Sequence, residues 1–168
     1  KTKRSVNFTE ADGNAVSIGL NKGDIARENI TLAVEKDGFR LSELELTGKA
    51  GNQSATVTIT ANGGGAEVGL ITVSSGARVS ELRVIGDVMN LQVEGTVDSV
   101  HVSSFGVNQA LFPELQGDLS FYNARARSVE VDGNVNEMLL YFARGIQRLE
   151  IGGDLLAGGQ VGRAGVGI

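Results

Sequence analysis

Residues 82–97 read LRVIGDVMNLQVEGTV and contain one phrase twice. Residues 82–88 and 91–97 both follow the order apolar, any, apolar, any, glycine, polar, apolar. The phrase recurs at residues 44–50, 129–135 and 149–155. Alternation of apolar residues over so short a span is typical of a strand with one buried face, and a glycine followed by a polar residue indicates a turn. Each copy is therefore interpreted as a strand followed by a corner.

A longer repeat contains two of these units. Between residues 82 and 151, alternating apolar pairs follow one another every nine to ten residues, with one interval missing near residue 110. Tyr122 and Tyr141 are nineteen residues apart. The same interval separates three arginines, Arg125, Arg144 and Arg163. A period of nineteen to twenty residues is in the range of solenoid repeats, so two units are expected to form one coil.

Backbone hydrogen bonding decides how such coils are arranged. Short strands joined by short corners must pair their N–H and C=O groups with other strands, and coils stacked about 4.8 Å apart allow this pairing. We predict an all-β, single-domain parallel β-helix (β-solenoid), right-handed, in which Val131 and Ile151 are direct neighbours. The predicted inward-facing stacks contain Leu82, Val84, Leu91, Val93, Val129, Val131, Leu149 and Ile151.

Two parts of the chain depart from the regular repeat. Residues 1–75 are β-rich but irregular and are interpreted as an N-terminal cap, whereas residues 76–168 are assigned to regular coils. Residues 103–116 contain the only proline and are predicted to be an insertion, either a tolerated surface loop or a functional one. A single domain over residues 1–168 is expected, because the cap would cover the open end of the coils.

Composition excludes several classes of function. Fifteen basic and twenty acidic residues give a net charge of −5, so we expect no nucleic-acid partner. No window approaches the roughly 20 apolar residues of a membrane-spanning helix, and no membrane insertion is expected. Cysteine is absent, which removes disulfides, thiolate metal sites and cysteine nucleophiles.

The arginine series is the strongest candidate for a binding surface. Guanidinium groups at a regular rise would suit the carboxylates or sulfates of an acidic polysaccharide, and Tyr122 and Tyr141 would add stacking surface for sugars. Alternatively, Arg125, Arg144 and Arg163 form ordinary ion pairs with acidic residues of adjacent coils.

Charged side chains of the regular coils are also expected to stack. Glu130 and Glu150 should lie one above the other, with Arg148 offsetting their repulsion. His101 lies between two inward-facing valines and should point outward. Because no cysteine or second histidine accompanies it, His101 is interpreted as a surface residue rather than part of a usual zinc site.

One polar segment near the N-terminus suggests a metal. In FTEADGN, residues 8–14, Asp12 and Asn14 offer oxygen ligands of the kind that calcium binds. The alternative is a turn in which both side chains bond to their own backbone. No other cofactor and no catalytic residues are predicted.

The chain resembles a known group of proteins in VNFTEADGNAVSIGL (6–20) and in the repeated L-x-V-x-G phrases. It looks like large bacterial surface or secreted proteins with Gly-rich parallel β-helix regions, a type common in planctomycetes. The resemblance implies an extracellular or cell-surface location and a structural or adhesive role, and it implies no particular chemistry.

The leading functional hypothesis is a non-enzymatic structural or adhesion module that presents a rigid surface. Its partners would be an extracellular glycan, a neighbouring protein, or a second copy meeting it through the coil ends. The alternative is a polysaccharide-binding or polysaccharide-degrading protein. An enzyme would need acidic and basic groups on one face, for which the candidates are Asp132, Asp154, Arg125 and Arg144.

Overall fold

A computed structural model describes residues 4–9, 15–21, 30–34, 41–47, 55–62, 65–107, 115, 117–122, 126–136, 139–156 and 160–162. Within these residues the chain forms fifteen strands and no helix, so the predicted all-β class is confirmed. The strands form one mixed hydrogen-bonded network, with parallel and antiparallel pairs.

The strands vary in length from two to sixteen residues. They are β1 (Arg4–Thr9), β2 (Ala15–Asn21), β3 (Ile30–Val34), β4 (Leu41–Leu46), β5 (Ala55–Ala61), β6 (Ala66–Val73), β7 (Arg78–Val93), β8 (Thr96–Phe105), β9 (Asp118–Phe121), β10 (Ala126–Val131), β11 (Val135–Asn136), β12 (Leu139–Phe142), β13 (Ile146–Ile151), β14 (Leu155–Leu156) and β15 (Gln160–Gly162).

Most strands belong to two parallel stacks. The first stack runs through β5, the first half of β7, β8, β10 and β13. The second stack runs through β4, β6, the second half of β7, β9, β12 and β15. Strand β7 therefore joins the two stacks, and its two halves carry the two copies of the phrase in residues 82–97.

The registers that join β6 to β7 and β10 to β13 agree with the predicted repeat length. Val131 pairs with Ile151, twenty residues later, which confirms that these two residues are neighbours. Leu119 pairs with Leu140 at an interval of twenty-one residues. These strands thus meet the equivalent strand of the next repeat, which satisfies their backbone groups without a hairpin.

The chain between β8 and β9 is longer than the repeat requires. Val100 pairs with Val129, twenty-nine residues later. This long interval accounts for the gap in the pattern near residue 110. Strand β8 continues to Phe105, so residues 103–105 of the predicted insertion are part of the sheet. Residues 108–114 and 116 lie outside the described residues.

Antiparallel pairing is confined to the N-terminal strands. Strand β1 pairs with β2, β2 with β5, and β3 with β4. Strands β4, β5 and β6 are already in the parallel stacks, so parallel pairing begins before residue 76. Strands β2 and β3 cover edges of β5 and β4 that would otherwise have unpaired backbone groups.

The core lies between the stacks and is largely aliphatic. Leu82, Leu91 and Val129 are fully buried, as predicted, and the rings of Phe121 and Phe142 stack with centroids 5.4 Å apart. Leu149 departs from the prediction, because 38% of its surface is exposed. It lies on β13, which pairs only with β10 among the described strands, so this leucine has a packed neighbour on one side only.

Candidate functional site

The outward face of the first stack presents a ladder of polar side chains. Successive rungs pair Thr58 with Arg83, Arg83 with His101, His101 with Glu130, and Glu130 with Glu150. Equivalent residues of adjacent parallel strands lie about 4.8 Å apart, so these groups are close enough to interact.

Three members of this face form a compact cluster, which consists of His101, Glu130 and Asp132. The His101 Nε2 atom lies 3.0 Å from each carboxylate oxygen of Asp132. The His101 Nδ1 atom lies 3.9 Å from Oε2 of Glu130. One nitrogen or oxygen atom from each residue can be chosen so that all three lie within 4.8 Å of one another. We call this group the His101 cluster.

The strands position each member of the His101 cluster. Glu130 and Asp132 are two residues apart, so both project from the same face at the end of β10. The backbone there is held against β8, because the N–H of Asp132 donates to the carbonyl of Val102 at 3.0 Å. The N–H of Gly133 donates to the carbonyl of Ser103 at 2.7 Å. The carboxylates therefore start from a fixed backbone beside His101.

The cluster is rich in negative charge. Among the described residues, His101 is the only basic group within 4 Å of the carboxylates of Glu130 and Asp132. Glu150, the neighbour of Glu130, instead pairs with Arg148. The predicted stacking of Glu130 and Glu150 and the role of Arg148 are confirmed.

The interpretation of His101 as a surface residue is correct in its orientation but did not include its carboxylate partners. The imidazole does face outward, with 23% of the side chain exposed, but two carboxylates surround it. The sequence contains a signal for this arrangement, since VHV at 100–102 and VEVD at 129–132 occupy equivalent positions of the repeat. The extra residues between β8 and β9 concealed that equivalence.

The two predicted sugar-stacking tyrosines lie together. The rings of Tyr122 and Tyr141 have centroids 6.0 Å apart and are tilted by 47°. Tyr122 is exposed, Tyr141 is half-buried, and the exposed Leu139 lies on the same strand as Tyr141. Arg144 is exposed, three residues after Tyr141. The tyrosine pair is therefore a partly exposed aromatic patch, and Arg144 is close to it in the sequence.

The remaining predicted site residues are not brought together among the described residues. No hydrogen bond or ion pair joins Arg144 to Asp132 or Asp154 in the described part of the chain. Asp154 is exposed, and its backbone N–H donates to Oδ1 of Asn134 at 2.9 Å. The other four predicted positions, Asp12, Asn14, Arg125 and Arg163, lie outside the described residues.

A second polar group is buried at the bend within β7. Asp87 accepts a hydrogen bond from Oγ of Ser104 at 2.6 Å and one from the backbone N–H of Val107 at 3.2 Å. Because Asp87 is buried and bonds both to β8 and to Val107 just beyond the end of β8, we infer a structural role, in which it holds the bend of β7 to the end of β8.

Comparison with family models, with curated proteins and with solved structures found no match. The resemblance to bacterial surface proteins therefore stays a hypothesis. No helix in the described part of the chain is long and apolar enough to cross a membrane.

Proposed function

We propose that this chain is a parallel β-solenoid that serves as a non-enzymatic structural or adhesion module of an extracellular or cell-surface protein. The observation that carries the proposal is the in-register parallel pairing of strands about twenty residues apart in both stacks. Such pairing makes a stiff scaffold whose outward side chains repeat at a fixed spacing. The location follows from the resemblance to bacterial surface proteins.

A rigid scaffold of this kind suits binding better than chemistry. Along the first stack the outward face carries one polar or charged side chain on each strand, namely Thr58, Arg83, His101, Glu130 and Glu150. Regular intervals favour extended partners such as a glycan chain or a second copy, because one rigid surface can meet several units of the partner at once.

Disulfide trapping tests the stacking of the coils. The chain has no cysteine, so pairs can be introduced without background. Ser99 and Ser128 are neighbours on adjacent rungs, and their Cα atoms should be about 4.8 Å apart, within disulfide range. The Ser99→Cys/Ser128→Cys pair should oxidise readily. The control pair, Ser99→Cys/Arg148→Cys, is two rungs apart at about 9.6 Å and should not. Equal trapping of both pairs would contradict in-register coils.

Binding measurements test the function. The purified protein, labelled at a single introduced cysteine, would be applied to glycan arrays and to bacterial and animal cells, and its self-association measured by analytical ultracentrifugation. A structural or adhesion module should show saturable binding or ordered self-association. Absence of both would overturn the proposal, and turnover of a uronic-acid polymer would replace it with an enzyme.

The pair of Tyr122 and Tyr141 favours glycan binding as a second candidate. Two adjacent aromatic rings can stack on the apolar face of a sugar, and the exposed Arg144 can pair with a carboxylate. Tyr141→Ala should weaken binding to polygalacturonate or alginate, whereas Ile85→Ala, which removes an exposed apolar side chain from β7, should not. Equal binding by the two variants would exclude the tyrosine pair as the glycan site.

A further inference from the structure

We propose that His101, Glu130 and Asp132 form a binding site for a divalent first-row transition-metal cation of the Zn²⁺ class. The proposal is independent of the structural or adhesive role, because it concerns three side chains on one face of the first stack. It rests on the kind of donor atoms, their spacing and the rigidity of the strands that carry them.

The donor set points to a transition metal rather than to calcium. Imidazole nitrogen suits Zn²⁺, Cu²⁺ and Ni²⁺, whereas Ca²⁺ and Mg²⁺ take oxygen ligands almost exclusively. One imidazole and two carboxylates provide three protein ligands. This number leaves a position open for water in a tetrahedral Zn²⁺ site.

The three donor atoms are near enough for rotation of the side chains to gather them around one ion. Ligands at about 2.0–2.2 Å from a tetrahedral Zn²⁺ lie about 3.3–3.6 Å from one another. The distance from His101 Nε2 to Asp132 is 3.0 Å, and the three chosen donor atoms all lie within 4.8 Å. Both carboxylates are substantially exposed, Glu130 at 45% and Asp132 at 58% of the side chain, so they can rotate about the ion without disturbing the core.

The backbone under the site is already organised. His101 and Glu130 are paired across two hydrogen-bonded strands, and the backbone of Asp132 is held by Val102. Binding therefore requires ordering of side chains only, which keeps its entropic cost small.

The charges around the cluster favour a cation. The neighbours on the adjacent rungs are Arg83, next to His101, and Glu150, next to Glu130. Glu150 is paired with Arg148, and Arg83 is exposed to solvent. With neutral imidazole, the two carboxylates and Arg83 leave a net charge of −1, and a divalent cation would relieve the repulsion between the carboxylates.

The single histidine makes a direct test possible. In protein prepared without a polyhistidine tag, the imidazole ¹H and ¹⁵N signals belong to His101 alone. Titration with Zn²⁺ should shift these signals and saturate at one ion per chain, and calorimetry should give the same stoichiometry. Ca²⁺ and Mg²⁺ at equal concentration should leave the signals unchanged. Binding should weaken as the pH is lowered, because protons compete for the ligands.

Conservative variants separate this site from adventitious binding. Glu130→Gln and Asp132→Asn keep the shape of the side chains and should each weaken Zn²⁺ binding by at least about tenfold. Loss of a residue that only hydrogen-bonds to a metal ligand already weakens binding by about tenfold, and these substitutions change the ligands themselves. Asp98→Asn is the matched control, since Asp98 is a carboxylate on β8 that faces Arg127 at 3.7 Å. Circular dichroism would verify that each variant is folded. Unshifted His101 signals in the wild type, or equal affinity in all three variants, would overturn the proposal.

Discussion

At Gly86 two segments of backbone come into direct contact, and this close approach explains the glycine of the repeated phrase. A Cβ atom at Gly86 would collide with the backbone of Ala66, and the φ angle of +155° is one that other residues rarely adopt. At Gly95 a Cβ atom would lie 2.6 Å from the carbonyl oxygens of Ala77 and Ser74. At both positions a side chain is excluded because an earlier segment of backbone, from the neighbouring strand or turn, occupies its space.

Substitution of Gly86 should therefore be costly. We expect Gly86→Ala to lower the free energy of unfolding by roughly 1–3 kcal/mol, since the backbone must move to admit the methyl group. The midpoint of urea denaturation measures the change. Gly19→Ala is the control, because its Cβ atom would meet nothing closer than the carbonyl oxygen of Thr58 at 3.8 Å. That variant should stay within about 0.5 kcal/mol of the wild type, and equal losses in both would contradict the steric explanation.

The buried carboxylate of Asp87 supplies a second prediction at the scale of residues. Ser104→Ala removes the hydroxyl that donates to Asp87 at 2.6 Å. Loss of a partner by a buried acceptor should lower the free energy of unfolding by about 1–3 kcal/mol. Ser75→Ala, at an exposed turn position, should change it little. If thermal or urea unfolding shows the two variants to be equally stable, the bond between β7 and β8 is not a stabilising one.

Among elements, the neighbours of a strand decide how deeply its phrase is buried. Leu91 and Leu149 both occupy the first position of a phrase, but Leu91 is fully buried and Leu149 is 38% exposed. Strand β7 pairs with β5, β6, β8 and β9, whereas β13 pairs only with β10 among the described strands. The same local sequence therefore contributes differently to stability in the two places.

Truncation of these two leucines should reveal that difference. Leu91→Ala should lower the free energy of unfolding by about 2–5 kcal/mol, the usual range for a buried leucine. Leu149→Ala should lower it by less than about 1.5 kcal/mol, because the removed atoms are already partly in water. Urea denaturation of both variants provides the comparison. Equal losses would show that β13 is covered by a further layer.

For the molecule as a whole, stacked strands imply a gradient of local stability. Strands near the middle of a stack have partners on both sides, while a terminal strand can separate after losing one partner. Backbone amides of β7 and β8 should exchange with deuterium at least about tenfold more slowly than those of β13, a difference within the usual span of local stabilities. Hydrogen exchange followed by mass spectrometry or NMR measures these rates. Uniform protection along the stacks would indicate a single cooperative unit instead.

The partners of His101 in the His101 cluster could not be predicted from the repeat. The outward position of His101 follows from alternation alone, and the pairing of Glu130 with Glu150 follows from a regular interval of twenty residues. The pairing of His101 with Glu130 spans twenty-nine residues, because the chain between β8 and β9 is longer than the repeat. An irregular interval cannot be inferred from periodicity, so the carboxylate partners became visible only in the fold.

Alternation and glycine corners are local properties of the chain, and they were enough to predict the all-β class, the parallel pairing of regular repeats and the inward side chains of the central strands. The fold was needed to find the registers across irregular intervals, the exposure of Leu149 and the assembly of His101 with Glu130 and Asp132. These depend on which distant strand lies beside each residue, and that choice is made by packing and backbone hydrogen bonding over the whole molecule.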